Sequence, residues 1–154
     1  MSAPTRTDEP GLSRRDEAAV SSAAMSAAPW TAAVGTGAVV GLGDLGLHLI
    51  SGNIGLSALS GSAALGVLAF FVVAAAGALQ SSRSGRALRW ARSNPWRFAI
   101  LPGAACAAIV FVLSVVLGGG VFAGIFSGVW HGAGVYGLTG LAGSMGGARR
   151  RRDA

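Results

Sequence analysis

Four long apolar runs dominate the chain, separated by short polar or glycine-rich stretches. Residues 29–50, 56–79, 98–117 and 121–143 carry apolar or small side chains at nearly every position. A water-soluble fold needs polar residues facing solvent at helical or strand spacing, and these runs do not supply them. Runs of this length read as membrane-spanning helices. The first extends about 33 Å at ~1.5 Å per residue, enough for a hydrocarbon layer of ~30 Å. The 51–55 stretch, Ser-Gly-Asn-Ile-Gly, and the glycines 118–120 are tight turns. The pattern therefore predicts an all-α fold: a four-helix transmembrane bundle of two helical hairpins, joined by a loop over residues 80–97.

Charge fixes how the hairpins thread. Between Ala18 and Ser82 the only charged residue is Asp44, and between Phe98 and Ala148 there is none. The 80–97 loop holds Arg83, Arg86, Arg89, Arg92 and Arg97 without an acid, and the tail over residues 144–154 holds Arg149, Arg150, Arg151 and Arg152. An even number of spans puts both chain ends on one side, and the positive-inside rule puts the loop and the basic tail on that same side. The two clusters agree on a cytoplasmic face. All nine arginines are candidates to touch the headgroups of an anionic inner leaflet. Arg83, Arg86, Arg89 and Arg92 recur every three residues, with Ala87, Leu88 and Ala91 facing the other way. Either a short amphipathic helix on the membrane surface or a solvated loop fits this spacing. Asn94 reads as a helix cap with Pro95 in the first turn, and Pro102-Gly103 predicts a loosened start to the third span.

Composition adds that charged residues are only 12% of the chain, that the net charge is +6, and that every lysine or arginine is an arginine. Abundant Ala, Gly and Arg without lysine suggest a high-GC bacterial genome, and hence a bacterial cytoplasmic membrane. The few aromatic residues lie mostly in the spans, which argues against a nucleic-acid surface. Trp30, Trp90 and Trp96 sit where interfacial rings belong, and Trp130 reads as a packing residue. Residues 1–28 begin with mixed charge, Pro4, Pro10 and Gly11, and are expected to be a disordered cytoplasmic segment; Ser13 followed by Asp16 resembles a helix N-cap, and a short interfacial helix through Ala18–Ala28 is the alternative. Arg14-Arg15 is followed by Asp16 and Glu17, where a twin-arginine export signal wants apolar residues. Cys106 lies inside an apolar run and reads as a small packing residue.

Two motifs need weighing. Gly41-x-Gly43-x-x-Gly46 matches the dinucleotide fingerprint in letters, but no strand precedes it and no acid follows Asp44 until Asp153. The glycines, with Gly37-x-x-x-Gly41 and Gly124-x-x-x-Gly128-x-x-x-Gly132, instead read as small-residue rows that let helix backbones approach closely. Pro29-Trp30-x-x-Ala33-x-x-x-Gly37 recurs as Pro95-Trp96-x-x-Ala99-x-x-x-Gly103. This fits either a duplicated hairpin or simply a good way to start a helix at the inner interface.

The candidate chemistry is confined to Asp44, His48 and His131. An intramembrane acid costs ~2.5–3.5 kcal/mol or more at the bilayer centre, so Asp44 must face other helices, bind a cation or be protonated. His48 is one helical turn on, and His131 would approach if the first and fourth spans pack together. The favoured reading is a structural polar cluster. A proton or cation path through the three residues is the alternative, and a Zn²⁺ site needs all three to converge. No nucleophile–base pattern is present, and Ser57, Ser60, Ser62, Ser114 and Ser127 read as small packing residues. The expected protein is non-enzymatic, without a metal or other cofactor. It would be an accessory or assembly partner, or a homo-oligomer, within the membrane. The alternative is a small proton- or cation-linked transporter or pore subunit.

Overall fold

The computed structural model describes residues 13–53, 55–83 and 85–152, with the backbone alone for Arg14 and residues 146–152. The chain is all-α: α1 Arg14–Met25, α2 Trp30–Ile50, α3 Leu56–Gln80, α4 Arg86–Ser93, α5 Pro95–Val116 and α6 Gly120–Arg152. Four of these, α2, α3, α5 and the 120–145 part of α6, are long and apolar enough to cross a membrane. The hairpins α2–α3 and α5–α6 form the body of the bundle, and α3 joins them by packing on both α5 and α6. Among the described residues α2 touches α3 and no other element.

The element ends follow from local chemistry. Ser13 and Asp16 form a capping box: the Asp16 N–H donates to Ser13 Oγ at 3.2 Å, and Asp16 Oδ2 accepts from the Ser13 backbone N–H at 3.3 Å. The expected disorder to residue 28 therefore fails over α1; residues 1–12 lie outside the described part. Ala24 and Met25 bury one side of α1 against Leu88 and Ala91 of α4 and the end of α3. The apolar side of α4 is thus covered by protein, where the arginine spacing allowed either a membrane-surface helix or a solvated loop.

Helix α5 begins at Pro95, three residues before the expected span, because the Phe98 N–H bonds the Asn94 carbonyl at 3.0 Å. The Asn94 side chain does not cap this helix. Its amide donates backwards, to Trp90 O at 3.2 Å and Ser93 Oγ at 3.0 Å, and so closes α4. α5 runs through the buried Pro102 without a break. α6 continues through the basic tail to Arg152.

The two hairpins repeat one another at a spacing of 66 residues. α2 ends with Ser51, Gly52 and Asn53 donating to Leu47, Leu49 and His48, and α5 ends with Leu117, Gly118 and Gly119 donating to Leu113, Val115 and Ser114. Every donor and acceptor of the second turn is numbered 66 above its counterpart. Each turn has a left-handed glycine, Gly52 (φ +72°) and Gly118 (φ +86°), in the position that closes a helix through a six-to-one hydrogen bond. The packing repeats in the same register. Pro29 lies against Gly77 and Pro95 against Gly143. Trp30 leans on Phe70 with ring centroids 5.9 Å apart, and Trp96 on Tyr136 at 5.4 Å. A Cβ on Gly37 would sit 2.8 Å from Gly66 O, and one on Gly103 would sit 3.0 Å from Gly132 O. The Pro-Trp recurrence is therefore a duplicated hairpin and not a coincidence of helix starts. Both copies begin at the same end of the bundle, which makes them parallel repeats.

The repeat also identifies an odd residue. Thr139 is fully buried in α6, and its hydroxyl has no hydrogen-bond partner among the described residues. The matching position in the first hairpin is Val73. An unsatisfied buried hydroxyl costs roughly 1–3 kcal/mol, so Thr139→Val is expected to stabilise the protein by about 1 kcal/mol. A thermal melt in detergent that shows no rise, or a fall, would contradict this.

Candidate functional site

Among the described residues, ionisable and hydroxyl side chains cluster between two spans near the turn of the first hairpin. Its construction starts at Gly41. A Cβ there would come within 3.1 Å of the Ser62 carbonyl, so the missing side chain lets α2 lie close to α3 at this level. Asp44, one turn further along α2, then reaches the Ser62 hydroxyl, which donates to Oδ2 at 2.7 Å. A hydroxyl donating to a carboxylate at this distance is a charge-assisted bond. Ser62 is buried, and the Asp44 side chain is 28% exposed. His48 follows on the same face, with Nε2 3.6 Å from the same carboxylate oxygen. That is beyond hydrogen-bond range and makes an ion pair only when the imidazole is protonated.

His131 does not join them. It lies on α6, where its Nδ1 is 2.8 Å from the Ser127 carbonyl and 3.4 Å from Ser127 Oγ. A carbonyl can only accept, so this contact places the proton on Nδ1. Among the described residues α2 and α6 do not touch, and α3 packs on both. The convergence that a three-residue ion path or Zn²⁺ site would need is therefore absent. Among the described residues no three His, Cys, Asp or Glu side chains group closely enough to hold a metal ion.

The sequence reads Ser62 as a packing residue; the structure gives it a further role as the partner of Asp44. The bond spans 18 positions and two helices. Folding the two runs back about Asn53 sets position 62 opposite position 44, so the hairpin register held the signal. The fold itself does not need an acid here. The residue 66 positions beyond Asp44 is Val110, fully buried, and the one beyond Ser62 is Gly128.

An open groove of about 560 Å³ runs beside this cluster between α2 and α3, lined by residues such as Val34, Leu42, Gly66 and Phe71, with Ile109 of α5 at its edge. Ser62 is the one polar side chain in its lining among the described residues. The groove is thus an apolar trough that does not expose the carboxylate. Double substitution of Asp44→Asn and Ser62→Ala should show a coupling of roughly 1.5–3 kcal/mol, the range of a hydrogen bond to a charged group. Purely additive single effects on unfolding would show that the 2.7 Å contact contributes nothing.

The arginines divide. Arg83, Arg86 and Arg89 are exposed. Arg92 is turned inward: its Nε donates to Leu79 O at 2.9 Å, and Nη2 donates to Ser81 O and to Arg83 O. Arg97 pairs with Glu17 at 2.6 Å, joining α5 to α1. Arg92 and Arg97 therefore have protein partners where headgroup contact was expected. The side chains of Arg149, Arg150, Arg151 and Arg152 lie outside the described residues. Cys106 is buried as a packing residue, whereas Trp130 is 69% exposed on α6 and does not pack into the bundle.

The architecture defined by these elements is a four-span helical bundle built from a duplicated hairpin. No protein-family model matches the chain, and neither a curated protein nor a solved structure shows significant similarity to it.

Proposed function

We propose that this chain is a non-enzymatic protein of the bacterial cytoplasmic membrane that acts through helix–helix contacts, as an accessory or assembly partner, with both termini and the basic α4 region in the cytoplasm. One observation supports this reading above others: α2 is packed on one neighbour along its length, and only 11% of its apolar window is buried, against 39% for α3. A span held so lightly has most of its surface free for another helix. The polar cluster supports the same reading. A buried serine satisfies Asp44 within a single hairpin, which is the behaviour of a structural contact. The alternative of a proton or cation path used His131 as well, and among the described residues α2 and α6 do not touch, which gives it no support.

The orientation rests on charge. α1, α4 and the end of α6 gather at one end of the bundle, through contacts such as Arg97–Glu17 and Pro95 against Gly143. The basic α4 region at this end favours the cytoplasmic side. Gentle solubilisation and crosslinking in native membranes are expected to recover the chain in species larger than a monomer, and a reporter placed at residues 83–86 is expected to report a cytoplasmic position. Recovery of monomers alone would overturn the proposal, and an external reporter signal would overturn the orientation.

A further inference from the structure

The duplicated hairpin leaves two faces uncovered, and the repeat indicates what fits them. Inside one chain the first hairpin presents Ala64, Val67 and Phe71 of α3, and these are packed against the second hairpin. The second hairpin meets α3 with Phe98 and Cys106 of α5, both fully buried, and Pro102, one turn from each, is buried too. Each of these six residues has a counterpart 66 positions away in the other hairpin. Those of Ala64, Val67 and Phe71 are Trp130, Ala133 and Gly137 of α6; those of Phe98, Pro102 and Cys106 are Ala32, Thr36 and Val40 of α2. None of these six counterparts is buried. Trp130 is 69% exposed and Val40 is 37% exposed. The chain therefore makes the hairpin-to-hairpin contact once and carries one unused copy of each half of it.

We propose that a second copy of this chain supplies the missing contact, with the α6 face around Trp130 and Gly137 of one copy packing on the α2 face around Thr36 and Val40 of the next. This rests on the reading that the protein works through helix contacts, and it names the partner. The contact is heterologous: the two faces differ, so the copies join head to tail and must close on themselves to stay finite in the membrane plane. Two features suit these faces to helices better than to lipid. Gly43 on α2 and Gly137 on α6 lie along them, and a Cβ at either would meet nothing within 4 Å in the single chain. Small residues of this kind let helices approach closely, and inside a bilayer that packing supplies much of the attraction between helices. Thr36 adds a hydroxyl on an otherwise apolar surface.

The test uses the full-length protein in native membranes, with two differently tagged copies co-expressed. One carries Val40→Cys, the other Gly137→Cys, and a short bis-maleimide joins thiols that come together. The wild type, whose single Cys106 is buried, gives the background. Crosslinks between the Val40→Cys and Gly137→Cys copies are expected, with little joining of either variant to itself. Gly43→Leu and Gly137→Leu fit the single chain and should not lower its melting temperature, since each replaces a helical glycine that nothing obstructs. On this contact they should lower association about tenfold, the effect of overpacking one helix seam. Association unaffected by both leucines, or efficient Val40→Cys to Val40→Cys joining, would overturn the head-to-tail contact. If the chain is captured only with other proteins, the second-copy inference fails while the proposed function stands; if it is found only as a lone monomer surrounded by lipid, both fail.

Discussion

Gly132→Leu is expected to force α6 away from α5 and to destabilise the bundle by roughly 3 kcal/mol or more, at the upper end of what overpacking a close seam costs. A Cβ at position 132 would lie 2.8 Å from the Gly103 carbonyl oxygen and 2.8 Å from the Ala107 Cβ. Neither obstacle can swing aside as the tip of a long side chain would, because one is backbone and the other is fixed to it. Relief therefore requires the helices to separate along several turns, which forfeits the neighbouring contacts of Gly128 with Ala107 and of Gly143 with Pro95. The first hairpin should respond in the same way to Gly66→Leu, since a Cβ there meets Gly37 O at 2.8 Å. Gly35→Ala and Gly61→Ala are the controls. Nothing lies within 4 Å of either position, and alanine is favoured over glycine inside a helix by roughly 0.5–1 kcal/mol. Unfolding in mixed detergent, followed by tryptophan fluorescence, should separate the two groups. Equal stability of Gly132→Leu and Gly61→Ala would mean that the close approach of backbones does not hold the hairpins.

The glycine argument also shows where sequence reading reached and where it stopped. The four long apolar helices, their hairpin pairing and most of the helix ends were legible, because runs of twenty or more residues with at most one charge have few ways to fold and the basic clusters bracket them. The close-packing rows at Gly37, Gly41, Gly128 and Gly132 were legible as a motif, and the structure puts backbone against each of them. The repeat was visible only at its Pro-Trp start. Its stronger half, the Gly52/Gly118, Gly66/Gly132 and Gly77/Gly143 matches, needed a comparison of the chain with itself at one fixed offset. At the site, Asp44 and His48 share a helix, so spacing alone placed them together. Whether His131 met them depended on which helix stood beside α2, and the hydrophobic pattern carries no information on the order in which four apolar helices pack. The cover over α4 and the inward turn of Arg92 were not legible for a related reason. Spacing showed that one face of the helix was apolar, but not that α1 would cover it.

Arg92→Met is expected to cost roughly 2–3 kcal/mol, while Arg86→Met and Arg89→Met should change stability by less than about 0.5 kcal/mol. The final carbonyls of α3 have no intrahelical partner. Arg92 supplies one from outside the helix, with Nε 2.9 Å from Leu79 O and Nη2 bonded to Ser81 O. Its third bond, to Arg83 O at 3.3 Å, ties down the connector between α3 and α4. A cation at this end also answers the negative pole of α3. Methionine keeps the apolar stem but offers no donor, so the connector loses its anchor and α4 its registration over Ala24 and Met25. Arg86 and Arg89 are exposed and have no such duty. Neutralising them should instead weaken binding to liposomes containing anionic lipid, which Arg92→Met should affect less. Hydrogen exchange provides the local readout: amides over residues 81–93 should exchange faster in Arg92→Met and at the wild-type rate in Arg89→Met. If Arg92→Met leaves exchange in this segment unchanged, the guanidinium does not hold the connector, and its role would revert to the membrane surface that the sequence alone suggested.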